Sequence, residues 1–277
     1  MKVVAVHNFK GGVGKTTAAL SLAFETARGG ERALLWDLDP QGAASYCLRV
    51  APELDVQGKR LLRDREALQA AVKGSDYPGL DLLPADFSLR HVDAWLEGKG
   101  DPDGLLRAAT SELGADHDWV VMDCAPTLSA LNESVFACAD AVLVPTIPTV
   151  LSLRTVARLL AHLKPRRRAG LRVLPFLSMV DRRKALHRDV CAWVRKRELG
   201  FLETEVPFAS VVERASVERR PLGAAAPSSP AARAFRALLE EVRDRLGDAG
   251  ERGGARAGSV RALVEGLERG GEDRRTR

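Results

Sequence analysis

Short apolar runs and amphipathic stretches alternate along most of this chain. Val3–Val6, Ala33–Trp36, Leu80–Leu83, Trp119–Met122, Ala141–Val144 and Val173–Leu177 have the length and unbroken hydrophobicity of parallel strands buried on both faces. Between them, Thr16–Ala27, Leu61–Val72, Leu105–Leu113, Leu131–Ala139, Leu151–Leu163 and Ala185–Arg197 carry apolar residues at helical spacing. This alternation predicts right-handed crossovers and an α/β fold, a doubly wound, mostly parallel sheet flanked by helices. Ligands of such sheets bind at the carboxyl ends of the strands, where every motif below falls. Pro221–Pro230 reads as a loop and Ala231–Leu246 as a docking helix. From Gly247 onward the chain is rich in glycine and charge, the pattern of a flexible tail. Val260, Leu263, Val264 and Leu267 could form one short amphipathic helix within it. The expected division is a folded domain over 1–246 and a tail over 247–277.

Composition narrows the class. Of 277 residues, 45% are hydrophobic and 29% charged, enough apolar surface for a sizeable core. No run of about 18 apolar residues occurs, so no transmembrane helix is expected. The first residues read as a strand and not as a secretory signal, which predicts a cytoplasmic protein. No helix-turn-helix segment is expected ahead of that strand. Cys47, Cys124, Cys138 and Cys191 are widely spaced, without a C-x-x-C pair, and are expected as buried thiols. Charge is uneven: residues 151–200 hold 14 Lys/Arg against three acids, net +11, while the rest of the chain is net −6. Such a block suits a polyanion, or simply solvated helix faces. Arg166, Arg167 and Arg168 within it equally suit a helix C-terminus.

The chemistry is concentrated after the first strand, in Asn8–Thr17, NFKGGVGKTT. Gly11, Gly12 and Gly14 let the backbone close around phosphate oxygens, and Val13, Thr16 and Thr17 add amides at a helix start. Lys15 can reach the β- and γ-phosphates, and Thr16 can offer its hydroxyl to Mg²⁺. This is the strand, loop and helix order of a P-loop nucleoside triphosphatase. An ordinary Walker A loop has Gly five residues before Gly14, where this chain has Phe9, and it lacks the extra lysine, Lys10. Ala33–Gly42, ALLWDLDPQG, is a strand ending in carboxylates, and Trp119–Asp123, WVVMD, is a strand ending in Asp, as in Walker B.

Together these segments resemble the deviant Walker A motif, the D-x-D-P-Q-G motif and the Walker B strand of the ParA/MinD family. The likeness is nearest to the Soj-like ParA partitioning ATPases. Asp123–Ser129 departs from the family's D-x-P-P-S at Ala125. Val144–Leu153, Ser178–Lys184 and Val206–Pro207 resemble later family segments, so the likeness spans about residues 1–246. It implies ATP and Mg²⁺ as cofactors and ATP hydrolysis with slow basal turnover. Lys15 would bind phosphate within its own subunit, and Lys10 would reach the nucleotide of a partner subunit in an ATP-dependent homodimer. Asp39 would polarise the attacking water, and Thr16, Asp39 and Asp123 would surround the metal, with Asp37 in support. Met179, Asp181 and Pro207 would contact adenine.

The same resemblance implies non-specific DNA binding by the ATP dimer, release on hydrolysis stimulated by a ParB-like or other adaptor, and nucleoid association. Arg183 matches a DNA-contacting arginine of the family. Arg182, Lys184 and Arg188 lie beside it, and Arg214 is the first basic residue after Pro207. Three other classes fit the loop, one of them a non-enzymatic nucleotide-gated scaffold that would form ATP-dependent dimers without turnover. A MinD-like membrane-cycling regulator needs a bulky C-terminal anchor, which the tail does not offer, so stable membrane association is not expected. A redox or cluster-carrier ATPase needs paired cysteines, and only Cys124 and Cys138 flank the switch region.

Overall fold

A computed structural model describes residues 1–51, 58–163 and 170–247. Its first half runs β1 (Lys2–Val6), α1 (Lys15–Arg28), β2 (Ala33–Asp37), α2 (Ala43–Cys47), α3 (Gly58–Leu61), α4 (Arg65–Ala71), β3 (Lys73–Gly74) and β4 (Leu80–Leu83). A 3₁₀ turn (Phe87–His91) leads to α5 (Val92–Glu97), α6 (Pro102–Leu113), β5 (Trp119–Asp123), α7 (Ala130–Cys138) and β6 (Ala141–Thr146). Then follow α8 (Val150–Leu163), β7 (Arg172–Val180), α9 (Ala185–Lys196), β8 (Glu205–Pro207), α10 (Ser210–Val217), α11 (Leu222–Ala225) and α12 (Pro230–Gly247).

Among the described residues the strands form one sheet in the order β3-β4-β2-β5-β1-β6-β7-β8. All neighbours are parallel except the edge pair β3/β4. The predicted doubly wound architecture is therefore the observed one. Alternation within strands divides the core. Val3 and Ala5 of β1 pack with Trp36, Val120 and Met122 on one face. Val4 and Val6 pack on the other with Leu35, Val121 and the apolar sides of α1 and α12. With β1 central, the chain leaves it toward β2 on one side and returns to β6 on the other. A crevice therefore opens at the carboxyl ends of the middle strands.

Two expectations change. The helix predicted over Leu61–Val72 is broken into α3 and α4, because the Asp64 carboxylate accepts the Ala67 amide at 3.1 Å and starts a new helix. Pro221–Pro230 is not all loop: Leu222–Ala225 turns helically because Leu222 is buried and Gly223 lies against α1. A β-carbon at Gly223 would come within 2.6 Å of the Phe24 ring. The predicted tail helix and the Arg166–Arg168 cluster lie outside the described residues. All four cysteines are buried and no disulfide joins them.

Candidate functional site

The loop between β1 and α1 is a phosphate cradle by construction. Gly12 (φ 69°) and Gly14 (φ 90°) take left-handed backbone that a side chain would strain. A β-carbon at Gly11 or Gly12 would meet nothing within 4 Å, so the backbone borders open space. Gly14 caps α1 without any side-chain acceptor, which leaves the first amides of the helix directed at that space. The loop is held from outside. Asn8 is buried, donates to the Pro145 carbonyl at 2.8 Å and accepts the Lys10 amide at 3.0 Å. The Ser178 hydroxyl donates to the Val13 carbonyl at 3.0 Å.

The two lysines diverge. Lys15 is buried, its Nζ 3.5 Å from the Lys10 carbonyl. Burial lowers its pKa, and the nearby Asp123 and Asp39 carboxylates oppose that fall. Lys10 turns away from the cradle, and its Nζ donates to the Ser152 hydroxyl of α8 at 3.3 Å.

Three carboxylates face the loop from the neighbouring strand ends. Asp37 and Asp123 are register partners at the ends of β2 and β5, and both are buried. Asp37 accepts from the Ser45 amide at 2.9 Å and the Ser45 hydroxyl at 2.8 Å. Burial nevertheless raises its pKa to about 6. Its role is to hold α2 against β2. Asp123 differs: neither carboxylate oxygen has a hydrogen-bond partner among the described residues. Burial, reinforced by Asp37, raises its pKa to about 8, and the Thr16 hydroxyl opposes the rise without reaching bonding geometry. An orphaned buried carboxylate beside a threonine hydroxyl and a lysine awaits a cation. The donors suit a hard divalent ion that takes one carboxylate and one hydroxyl here and its other ligands from phosphate and water. In keeping with that, no group of three His, Cys, Asp or Glu able to hold a metal alone occurs among the described residues. Asp39 is half-buried, and its Oδ1 accepts the Gln41 amide at 3.0 Å, which fixes the turn and leaves Oδ2 available.

Beyond the cradle a cavity of about 270 Å³ is lined by Gly12, Gly14, Thr17, Met179, Pro207 and Phe208, among others. A register shift between Leu177 and Val180 produces this wall. It turns Ser178 onto the loop, and Met179 takes φ 55°, a left-handed conformation costing about 1–2 kcal/mol. Met179 and Pro207 thus border this space, while Asp181 does not line it. The Asp181 carboxylate binds Arg183 with both oxygens, at 2.9 and 3.0 Å, and that ion pair holds its pKa down to about 2.

The predicted basic contacts are partly engaged within the chain. Arg182 and Arg195 both pair with Glu205. Arg188 donates to the Arg182 and Arg183 carbonyls at 2.8 and 3.1 Å. Lys184 and Arg214 are exposed, and among the described residues neither forms an ion pair.

Sequence reading missed four groups. Ser45, Ser152 and Ser178 act by hydrogen bonds across the fold, and a lone serine carries no signal of that. His7 is fully buried against Phe9 and Phe136, with ring centroids 5.2 and 5.1 Å away. Its ring nitrogens have no partner among the described residues, and burial lowers its pKa to about 3. It is a neutral ring beneath the loop.

Residues 1–171 match a family model described as an AAA domain. The chain is 40% identical over 253 residues to the chromosome-partitioning ATPase Soj of Thermus thermophilus, covering 89% of this chain and 97% of Soj. It is 36% identical over 210 residues to the chromosome partitioning protein ParA of Caulobacter vibrioides, covering 70% and 76% of the two chains. Among solved structures, a cobyrinic acid a,c-diamide synthase from Mycobacterium smegmatis with bound ATP analogue and magnesium superposes with TM-score 0.74 and 28% identity. That match covers 92% of this chain and 99% of the synthase. The septum site-determining protein MinD of Pyrococcus horikoshii, complexed with Mg-ADP, shares the fold at TM-score 0.70 and 22% identity, over 89% and 97% of the two chains. With its phosphate cradle, second lysine and paired strand-end carboxylates, the chain belongs to the ParA/MinD family of P-loop ATPases.

Proposed function

We propose that this chain is a partitioning or positioning ATPase whose cycle is gated by ATP-dependent dimerisation. The observation that carries this reading is the second lysine. Lys15 already supplies the cradle's cation, so Lys10, bonded to Ser152 of α8, is surplus to a single-subunit site. It is available to a nucleotide held by a second copy.

In this reading the glycine loop and the α1 amides hold the ATP phosphates, with Lys15 across the β- and γ-oxygens. Met179 and Pro207 border the base. Thr16 and Asp123, with Asp39 near the ion, hold Mg²⁺, which neutralises phosphate charge when bound. Asp39 orients water for in-line attack, and its fixed turn restricts the carboxylate to one approach. Lys10 from the facing subunit completes the charge around the transferring phosphoryl group. Basal turnover is slow, and an adaptor protein of the ParB kind accelerates it. Residues 1–246 form the ATPase domain, with 247–277 as an appended tail.

The dimer binds DNA without sequence preference, which places the protein on the nucleoid in the cytoplasm. The net +11 block over 151–200 supports this, because cationic side chains gain affinity by releasing counterions from phosphates. Lys184 and Arg214, exposed and without an ion pair among the described residues, are the cations free for this, and Arg182, Arg183 and Arg188 are the other proposed contacts. The test is a DNA titration with ATP, ADP and no nucleotide at two salt concentrations. Binding only with ATP, weakening steeply with salt, is expected. Binding that ignores nucleotide would refute the gated cycle.

A further inference from the structure

A second cavity, of about 440 Å³, begins at Thr16 and Thr17 and runs away from the phosphate loop along α1, past Leu20 and Ser21. α2 walls it through Tyr46 and Cys47, and α10 and α11 close the other side. Its size is that of a small-molecule pocket.

Two independent features give it the character of a binding site. Ser21 is 2% exposed, and its hydroxyl has no hydrogen-bond partner among the described residues. A helical serine ordinarily returns its hydroxyl to the carbonyl one turn back, and that of Ser21 does not. The charge of the walls is one-sided: Arg220 lines the cavity and no carboxylate does. Glu218 is the acid near it, 3.9 Å from the Arg220 guanidinium, which also donates to the Ala224 carbonyl at 3.0 Å. Two more arginines tie the end of α2 to the end of α10. Arg219 donates to the Tyr46 carbonyl at 2.9 Å with its guanidinium 4.5 Å over the Tyr46 ring, and Arg49 donates to the Glu218 carbonyl at 3.2 Å. Both take left-handed backbone, at φ 53° and 62°.

We infer that this cavity is a second ligand site, adjoining the nucleotide's at Thr16 and Thr17, for a small organic anion with an apolar body. The body packs on Leu20, Tyr46 and Leu222, the acid group faces Arg220, and a polar atom meets Ser21. An occupant stands between α2, which follows the Asp39 turn, and α10, whose Val212 and Ser216 line both this cavity and the one beside Met179. Its binding is therefore coupled to nucleotide binding, a consequence that rests on the nucleotide site proposed above.

The probe is 8-anilinonaphthalene-1-sulfonate, an aromatic anion that fluoresces when shielded from water, titrated into the full chain at fixed ADP and Mg²⁺ levels. Nucleotide binding is followed separately by calorimetry. One saturable site is expected, with an affinity that shifts to a plateau as ADP rises, because coupled sites exchange a finite and reciprocal factor. Displacement that continues without limit would place the probe in the nucleotide site and overturn the inference, as would no saturable binding. Ala215→Leu and Cys47→Leu, each filling the cavity, should weaken the probe at least tenfold while ADP still binds. Unchanged probe affinity in both would overturn the inference. A measurement on the unaltered protein does not depend on those variants folding. The probe should slow alkylation of Cys47 at least fivefold, mapped by peptide mass spectrometry, and leave Cys191 unaffected. Equal rates at Cys47 with and without probe would equally overturn the site. If ADP itself fails to bind, the nucleotide reading falls and the probe results stand alone.

Discussion

Within a single subunit the Lys10 ammonium donates to the Ser152 hydroxyl at 3.3 Å, and that hydroxyl also accepts from Thr149 at 2.9 Å. The lysine therefore has a polar resting place on the first turn of α8, away from the cradle. Lys10→Ala should leave ATP binding to the single chain within about threefold, since Lys15 supplies the local charge. The same change should abolish the ATP-dependent rise in mass measured by light scattering. A dimer that forms normally without Lys10 would remove it from the interface.

Lys15→Ala has the opposite signature. A buried charged donor to phosphate contributes about 3 kcal/mol, so ATP affinity should fall roughly 100-fold by calorimetry. The fold should survive, because the lysine is desolvated in the free protein and its pKa is already lowered by burial. Retained tight binding would reject this phosphate site.

These two lysines also mark how far the sequence could be read. The glycine spacing and the position of Lys10 are local, so the cradle and its second lysine were legible in ten consecutive residues. The parallel strands were legible because burial on both faces leaves long apolar runs. The edge strands β3 and β8 were not, being two and three residues long and carrying no run at all. The break at Asp64 was hidden because its apolar neighbours keep helical spacing on both sides, and only the side-chain cap reveals it. At the site, Asp181 in its D-x-R segment suggested a base contact. The same spacing instead lets Arg183 fold back onto the carboxylate. The serines that hold Lys10 and the loop come from segments 142 and 165 residues distant, and Ser45, which holds Asp37, comes from a helix that the hydrophobic pattern did not show.

Asp39 holds its turn and, in the proposed cycle, orients water, and a pair of substitutions separates the two duties. Its Oδ1 closes the turn on the Gln41 amide, a contact that Asn can make and Ala cannot. Asp39→Asn should bind ATP normally and slow hydrolysis about 100-fold, the range for loss of a positioned base. Asp39→Ala should slow it as much and also loosen the turn, read as faster amide exchange over residues 39–43. Wild-type turnover in either variant would take Asp39 out of catalysis.

The basic surface predicts an unequal response. Replacing Arg182 would leave Glu205 with one arginine instead of two, which mixes loss of DNA contact with a structural change. Lys184→Glu with Arg214→Glu disturbs no ion pair seen among the described residues. The double variant should reduce the slope of log affinity against log salt by about two, with ATPase activity in the absence of DNA unchanged. An unchanged slope would move the DNA surface elsewhere on the molecule.

Asp123 gives the free protein a pH signature that ligand should erase. Burial raises its pKa from 3.8 to about 8, so the folded chain holds a proton that the unfolded chain has released across that interval. A group with a raised folded pKa stabilises the protein below its unfolded value, and that contribution is lost as pH rises toward the folded one. Asp37, raised to about 6, adds loss of the same sign lower in the range. His7, lowered from 6.5 to about 3, acts oppositely, its contribution being lost as pH falls through that interval. Between pH 6.5 and 8 only Asp123 of these three still titrates. Denaturant melts of the nucleotide-free protein should therefore lose up to about 1.4 kcal/mol per pH unit in that window. Asp123→Asn should flatten the loss. Nucleotide with Mg²⁺ binds the ionised carboxylate, so its affinity should rise toward pH 8 in the wild type and show no such rise in Asp123→Asn. A wild-type melt that is flat from pH 6.5 to 8 would mean that Asp123 is already ionised in the free chain, and the orphaned carboxylate would then need a partner other than the metal.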